Sequence, residues 1–268
     1  MLDPFKISCI GFLAIMCLSL PFALIRFRRL LPPKGYRYLF VFRSICGTIF
    51  LICTFHSVQL IPLGDASVLF STAPVFTYLL GSIFLKEPLT IHSAIMLFIL
   101  MCGIVLVTQP VILTSKVHLS SEYFLGISFG LLASFSEAIG NIILRKLKNF
   151  HFSIIMFNYG FLSFLQVLPF LIYQPYLIVN EINYYLIVIL ALFTALEQLL
   201  VILALSLEKA GHVALIQASD IIYGYIFQVI FFEEAIQIIP MIGAGIVAGV
   251  IVHMAHYGRK EVHRRITV

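Results

Sequence analysis

The chain has 268 residues, of which 61% are hydrophobic and 11% are charged, whereas soluble domains have about 45–50% and about 25%. A water-soluble fold of this size could not bury so much apolar surface, so the composition excludes soluble enzymes, nucleic-acid-binding proteins and disordered chains. The mean hydropathy of +1.07 and the net charge of +5 indicate a membrane protein whose basic residues set its topology.

Nine stretches of the chain are long and apolar enough to cross a membrane as helices. A transmembrane helix needs about 20 predominantly apolar residues, and the linkers between these stretches are short. The sequence therefore predicts an all-α polytopic membrane protein. The spans are residues 7–25, 38–60, 66–85, 92–113, 123–144, 152–173, 184–206, 212–232 and 235–258.

The basic residues predict the orientation of these spans. When the linkers are assigned alternately to two sides, fourteen of the 17 lysines and arginines lie on one side and two on the other, with Arg43 inside a span. Cytoplasmic loops carry the excess of basic residues. The C-terminus, with its basic tail at residues 259–268, is therefore predicted to be cytosolic. Span length does not distinguish the plasma membrane from the endoplasmic reticulum or Golgi.

The two halves of the chain repeat. A shift of 146 residues places Glu87 on Glu233 and the third span on the eighth. The second half, residues 123–258, has five spans, whereas the first, residues 1–113, has four. The first helix of a five-helix unit is therefore expected to be absent, through divergence, a short isoform or a truncated chain. Two five-helix units insert in opposite orientations, which predicts an inverted-topology repeat with its substrate site near the membrane midplane.

Several motifs carry a resemblance to a known family. The first half resembles the EamA-type repeat of the drug/metabolite transporter superfamily at residues 61–68 (IPLGDASV), 71–76 (STAPVF) and 85–88 (LKEP). The second half is similar to subfamily G of solute carrier family 35 at residues 207–214 (LEKAGHVA) and Asp220. Residues 43–47 (RSICG) resemble that subfamily's Arg-Gly-x-x-Gly motif, with Ser44 in place of the first glycine.

This resemblance implies two inverted EamA-type repeats, which make a ten-helix bundle in the family and here nine helices. It also implies a central cavity between the repeats and the transport of small metabolites. Broader relatives carry nucleotide sugars, but the substrate of this subfamily is poorly defined.

Two opposite charges inside the spans are candidates for a substrate or ion pathway. A charge at the centre of a membrane helix costs about 2.5–3.5 kcal/mol on insertion scales, so it is retained when it is paired, hydrated or useful. Arg43 suits an anionic substrate, because its planar fork binds carboxylate or phosphate at two points. The alternative is that the Arg43 side chain snorkels, so that its charged end reaches the nearby cytosolic surface. Asp220 could pair with Arg43, carry a proton, bind a cation or make a structural hydrogen bond.

Further polar residues extend this set of candidates. Gln198 and Glu197 are adjacent in mid-span and point about 100° apart. Glu137 and Asn141 lie four residues apart on one helix face, where a polar seam between helices is the alternative. Lys209 is a candidate gate at the cytosolic mouth, or else an interfacial anchor.

Proline and glycine predict local features of the spans. Pro74 is expected to kink its helix and to free the carbonyl around Phe70, and broken helices line cavities in transporters. The pairs Gly126-x-x-x-Gly130 and Gly245-x-x-x-Gly249 are predicted to allow close approach of helices.

The predicted function is a secondary transporter working by alternating access, on small metabolites that Arg43 suggests are anionic. The sequence contains no catalytic motif, so we expect no enzyme activity, cofactor or metal. The alternative is a non-transporting membrane regulator or scaffold with the same fold. The expected partners are a small-molecule substrate and the lipid bilayer, not nucleic acid, while a homodimer or a membrane-protein partner stays open.

Overall fold

The computed structural model describes residues 4–26, 32–87, 90–109, 120–173, 181–231 and 238–266. These ranges form α-helices and one short 3-10 helix, Lys34–Tyr36, which confirms the all-α class. The α-helices are α1 (Pro4–Arg26), α2 (Arg37–Leu60), α3 (Leu63–Phe70), α4 (Ala73–Phe84), α5 (Ile91–Thr108), α6 (Ser121–Lys146), α7 (Phe152–Tyr173), α8 (Glu181–Leu207), α9 (Ala210–Gln217), α10 (Asp220–Phe231) and α11 (Ile238–Ile266).

Seven segments of the described chain are long and apolar enough to cross a membrane, and α11 adds a shorter apolar stretch. Large apolar side chains are exposed on these helices, such as Phe193 at 66% and Val188 at 56% on α8. Exposure of this kind is expected where lipid covers the helix. The protein is an integral, multi-pass membrane protein. The seven segments are Ser8–Ile25, Lys34–Leu60, Leu63–Phe84, Ile91–Thr108, Ser121–Lys146, Phe152–Phe170 and Tyr185–Leu207.

The helices of the second half follow those of the first at a constant spacing. α3 and α4 begin at residues 63 and 73, and α9 and α10 begin at residues 210 and 220. The shift is therefore 147 residues for each pair, and the shift of 146 read from the sequence is wrong by one. Identities between the halves are too few to fix the register, whereas helix boundaries do so directly.

Two spans are broken in the same way. α3 and α9 have eight residues each, α4 and α10 have twelve, and two residues separate each pair. The residue before α3, Pro62, has φ −55° and ψ 144°, and the residue before α9, Lys209, has φ −60° and ψ 143°. The repeat therefore extends to the backbone geometry of the breaks.

Pro74 is the second residue of α4. It has no N–H to donate to the carbonyl of Phe70, four residues earlier. Ile221 stands at the matching position of α10, so a span can break here without a proline.

Two compact units divide the chain, and the first comprises residues 1–55 and 139–208. In it, α1 packs against α7 and α8. A Cβ on Gly160 of α7 would lie 2.8 Å from the backbone nitrogen of Met16 on α1, so the two backbones are in direct contact. The rings of Phe12 and Tyr159 meet edge to face, 5.6 Å apart.

The second unit comprises residues 56–138 and 209–268, and in it α5 packs against α11 and α4 against α9. Gly103 of α5 faces Gly243 of α11, where a Cβ on Gly243 would lie 2.7 Å from the Gly103 carbonyl oxygen. Its apolar core lies among these helices. Buried members of that core are Tyr78, Leu97, Leu100, Ile104, Leu215, Ala218, Val247, Val250 and Met254.

The two predicted small-residue contacts have different outcomes. A Cβ on Gly126 would lie 2.5 Å from Ile61, and one on Gly130 would lie 2.7 Å from a methyl carbon of Leu69, so close approach on α6 is confirmed. At Gly245 and Gly249 a Cβ would meet nothing within 4 Å among the described residues, so these two glycines make no close contact in that part of the chain. The α5–α11 contact uses the adjacent face of α11, through Gly243.

Candidate functional site

Arg43 is a buried cation held by three helices of the first unit. It lies in the second turn of α2 and has 8% of its surface exposed. Its Nη2 donates to Oε1 of Gln198 on α8 at 3.2 Å. Its Cζ lies 4.3 Å from the centroid of the Tyr159 ring on α7. An aromatic face attracts a cation, and more strongly where water is excluded.

Two glycines lie against this arrangement, and one of them, Gly47, makes room for it. A Cβ on Gly47, one turn after Arg43, would lie 2.6 Å from the hydroxyl oxygen of Tyr159 and 2.9 Å from Nη1 of Arg43. A Cβ on Gly140 of α6 would lie 3.5 Å from the same Nη1. A larger residue at Gly47 would displace the ring or the guanidinium group. The glycine of the Arg-Ser-x-x-Gly motif is therefore needed for the stacked geometry.

The Nε of the guanidinium group, unlike its Nη2, makes no hydrogen bond within the described part of the chain. The Nε of Arg43 is buried and has no hydrogen-bond partner among the described residues. A buried donor of a charged group that is left unpaired costs free energy. The polar and aromatic contacts described for the group are an amide oxygen and a ring face, and they include no carboxylate. A bound anion would supply what these contacts lack, since guanidinium groups bind carboxylate or phosphate at two points.

Gln198 links Arg43 to a carboxylate. Its Oε1 accepts from Arg43, and its Nε2 donates to Oε2 of Glu197 at 3.5 Å. Glu197 is exposed near the middle of the span Tyr185–Leu207. Ionisable groups at this depth face the bundle interior or a water-filled cavity rather than lipid. The first unit therefore places a cation and a carboxylate on either side of one amide.

A second polar contact lies beside Arg43. Nε2 of Gln166 on α7 donates to Oγ of Ser44 at 2.8 Å, and the Ser44 hydroxyl donates to the carbonyl oxygen of Val41 at 2.8 Å. Ser44 stands where the resembled motif has glycine, and it is fully buried. Its hydroxyl is tolerated because both of these hydrogen bonds are made, so α2 and α7 stay in contact there.

Three other predicted site residues are divided between the two units. Asn141 is buried in the first unit, with 4% of its surface exposed. Glu137 is half-buried and belongs to the second unit. Asp220 is the first residue of α10, is exposed, and also belongs to the second unit. A pairing of Arg43 with Asp220 stays a prediction.

Lys209 lines a small pocket of the second unit, together with Tyr78, Glu87, Gly211 and His212. An acidic and a basic side chain therefore line the same pocket where α9 begins. In the part of the chain that the structure describes, no three His, Cys, Asp or Glu residues are grouped so that they could hold a metal ion.

Sequence reasoning missed Tyr159, Gln166 and the contact made by Glu87. Tyr159 and Gln166 are seven residues apart and so share one face of α7. Two polar groups at that spacing in an apolar span are the signal that could have found them. The contact of Glu87 is with Ala210, 123 positions away, and no local pattern reports it.

Known proteins resemble the chain over most of its length. Solute carrier family 35 member G1 of Mus musculus is 27% identical over 237 residues, which are 85% of this chain and 64% of that protein. The Homo sapiens protein of the same name is 27% identical over 230 residues, which are 82% of this chain and 62% of that protein. The chain thus spans less than two thirds of these relatives. Pseudopaline exporter CntI of Pseudomonas aeruginosa (strain UCBPP-PA14) is 24% identical over 203 residues, which are 75% of this chain and 69% of that protein.

The fold and the family follow from two further comparisons. A crystal structure of another protein superimposes with a TM-score of 0.81 at 12% identity, covering 93% of this chain and 88% of that one, which shows a shared fold. The sequence profile of the EamA-like transporter family matches residues 1–109 and 124–255. The resemblance seen in the motifs is confirmed, and the chain belongs to the EamA-like transporter family.

Proposed function

We propose that the protein is a secondary transporter of small anionic metabolites, that it works by alternating access, and that Arg43 binds the anion. The observation that carries this proposal is the buried Arg43 guanidinium group, stacked on Tyr159 and with its Nε unpartnered among the described residues. Binding of a carboxylate or phosphate would pair that donor. Membership of a transporter family supports the same conclusion.

The polar groups beside Arg43 would take part in binding and release. Gln198 orients the guanidinium group through its amide oxygen, and Glu197 adds a negative charge on the far side of the amide. A carboxylate so placed disfavours a second anion and favours release of the first.

Asp220 is the proposed carrier of a proton or cation, so we expect Asp220→Asn to abolish the pH dependence of transport and to leave folding intact. Undiminished pH-dependent uptake by that variant would contradict this role.

Thermal stability of the purified chain against a panel of metabolites tests the proposal. The panel contains nucleotide sugars, nucleotides, carboxylates, amines and amino acids. A ligand that binds only the folded chain stabilises it by about 2.7 kcal/mol at a hundredfold excess over Kd. We expect a shift with an anionic ligand that is reduced in Arg43→Lys, which keeps the charge but loses the planar fork.

Arg145→Lys is the matched control for this experiment. Nη1 of Arg145 donates to the carbonyl oxygens of Leu205 and Ser206, at 2.9 and 3.2 Å, at the end of α8, so it is an arginine with a structural contact. We expect its variant to melt at a lower temperature and to keep the ligand shift. A panel without any shift, and no counterflow in liposomes, would refute the proposal and favour a scaffold with the same fold.

A further inference from the structure

A carboxylate joins the end of α4 to the start of α9. Oε2 of Glu87 accepts a hydrogen bond from the backbone N–H of Ala210 at 3.1 Å. Ala210 is the first residue of α9, and the first N–H groups of a helix have no partner within the helix. A negative charge is favourable at this end of a helix, because the partial charge there is positive.

A strained turn brings Glu87 to this position. Lys86, which follows α4, has φ 55°, a left-handed conformation that a side chain disfavours. The N–H of Glu87 donates back to the carbonyl oxygen of Gly81 at 3.3 Å, which closes the end of α4. A left-handed residue after the last turn, with this backward hydrogen bond, is a common way for a helix to end, and here it places Glu87 beside the start of α9.

The neighbourhood of the contact combines a tight helix contact with a small pocket. A Cβ on Gly211 would overlap the ring of Tyr78, so α9 rests directly on the α4 aromatic side chain. Glu87 itself is half-buried and forms part of the wall of the pocket that Lys209 and His212 also line. A carboxylate that left the Ala210 N–H would therefore still find two side chains able to bind it.

We propose that the Glu87–Ala210 hydrogen bond is a gate of the transport cycle. The bond closes the pocket at the end of α4 that the charge pattern predicts to face the cytosol, and it breaks when that end opens. Glu87 is thus a positioning residue that acts through the start of α9. The role of the Glu87–Ala210 hydrogen bond as a gate rests on the proposed transport function. The opening of this bond can nevertheless be measured without a substrate.

Thiol accessibility in the pocket tests the gate. His212 is 7% exposed and lines the pocket, so His212→Cys, in a chain whose five native cysteines are replaced, reports opening to a membrane-impermeant maleimide. We expect Glu87→Ala to raise the labelling rate about tenfold or more, since a hydrogen bond to a charged group is lost. Glu87→Gln should raise it much less, because its amide oxygen still accepts from Ala210.

Two controls keep the experiment specific. Glu122→Ala removes an exposed carboxylate from the first turn of α6, and it should label like the parent. Lys86→Gly relieves the strained turn and retains Glu87, and it should not label faster than the parent. The melting temperature of each variant establishes that it is folded.

Two results would overturn the gate. One is a folded Glu87→Ala variant that labels at the parent's rate, and the other is a Glu87→Gln variant that labels as fast as Glu87→Ala. Neither result depends on transport. A metabolite panel without any shift would refute the proposed function and leave the labelling result standing.

Discussion

The two broken spans of the second unit share a backbone geometry but are anchored by different side chains. In the first, the Thr72 hydroxyl donates to the carbonyl oxygen of Leu69 at 2.6 Å and hydrogen-bonds with Ser134 of α6 at 2.9 Å. At the start of α3, the hydroxyl of Tyr123 donates to the buried carboxylate of Asp65 at 2.8 Å. The first broken span is therefore tied to α6 at two points.

The second broken span is anchored at its start. Glu87 accepts from the N–H of Ala210, and Gly211 lies against Tyr78. At the break itself, the N–H of Ser219 donates to the carbonyl oxygen of Ile216 at 3.0 Å, a bond of the backbone alone.

The difference teaches that the backbone shape of a broken helix does not require one particular set of side chains. The anchors decide how firmly the shape is held. Buried hydroxyl and carboxyl groups hold the first broken span, whereas a half-buried carboxylate holds the start of the second. We therefore expect the first to be the rigid one and the second to be the one that moves, and four sets of variants test this comparison.

Gly211→Ala should have the largest effect. Its Cβ would overlap the ring of Tyr78, and overpacking of this kind costs about 2–3 kcal/mol. Gly245→Ala is the matched control, because its Cβ would meet nothing within 4 Å in the described ranges, and it should be neutral or slightly stabilising. Thermal unfolding in one detergent measures both. Equal stability of the two variants would show that α9 does not rest on Tyr78.

Tyr123→Phe should weaken the anchor at the start of α3. It removes a hydrogen bond from a carboxylate that is 5% exposed, and we expect the free energy of unfolding to fall by about 1.5–2 kcal/mol. Tyr223→Phe, at a site that is 58% exposed, should change it by less than about 0.5 kcal/mol. If Tyr123→Phe lowered the free energy of unfolding no more than its control does, the first broken span would not be the more rigid one.

Thr72→Val compares the two breaks directly. The valine has the shape of threonine but cannot bond to Leu69 or Ser134, so a loss of about 1 kcal/mol is expected. Ser219 occupies the matching position of the second break, and Ser219→Ala should cost less than about 0.5 kcal/mol. Denaturant titration of both variants is the measurement. A larger loss at Ser219 would reverse the comparison.

Pro74→Ala should have the smallest effect. The new N–H can bond to the carbonyl of Phe70, but α10 is separated from α9 with Ile221 at the matching position. We therefore expect a change within about 0.5 kcal/mol and a break that persists in a structure of the variant. Fusion of α3 and α4 into one helix would show that the proline makes the first break.

The candidate site was predicted in part. Arg43, Gln198 and Glu197 were chosen because polar groups inside a membrane span are costly, and the structure brings these three together. Tyr159 and Gln166 were missed because neither carries a charge and neither stands beside a charged residue, as Gln198 stands beside Glu197. Spans that carry apolar residues on every face also show little helical periodicity in hydrophobicity. The sequence pattern therefore does not tell which face of a span packs, or against which other helix.

The sequence by itself determined the membrane environment, the positions of most spans, the repeat and the family. These properties depend on composition and on local runs of residues, because lipid requires long apolar helices wherever the chain crosses it. Only the tertiary structure decided which groups meet, since Arg43 and Gln198 are 155 positions apart and Glu87 and Ala210 are 123 apart. It also showed that Gly243 rather than Gly245 makes the close contact with α5, because a contact between helices is set by how two whole surfaces fit together.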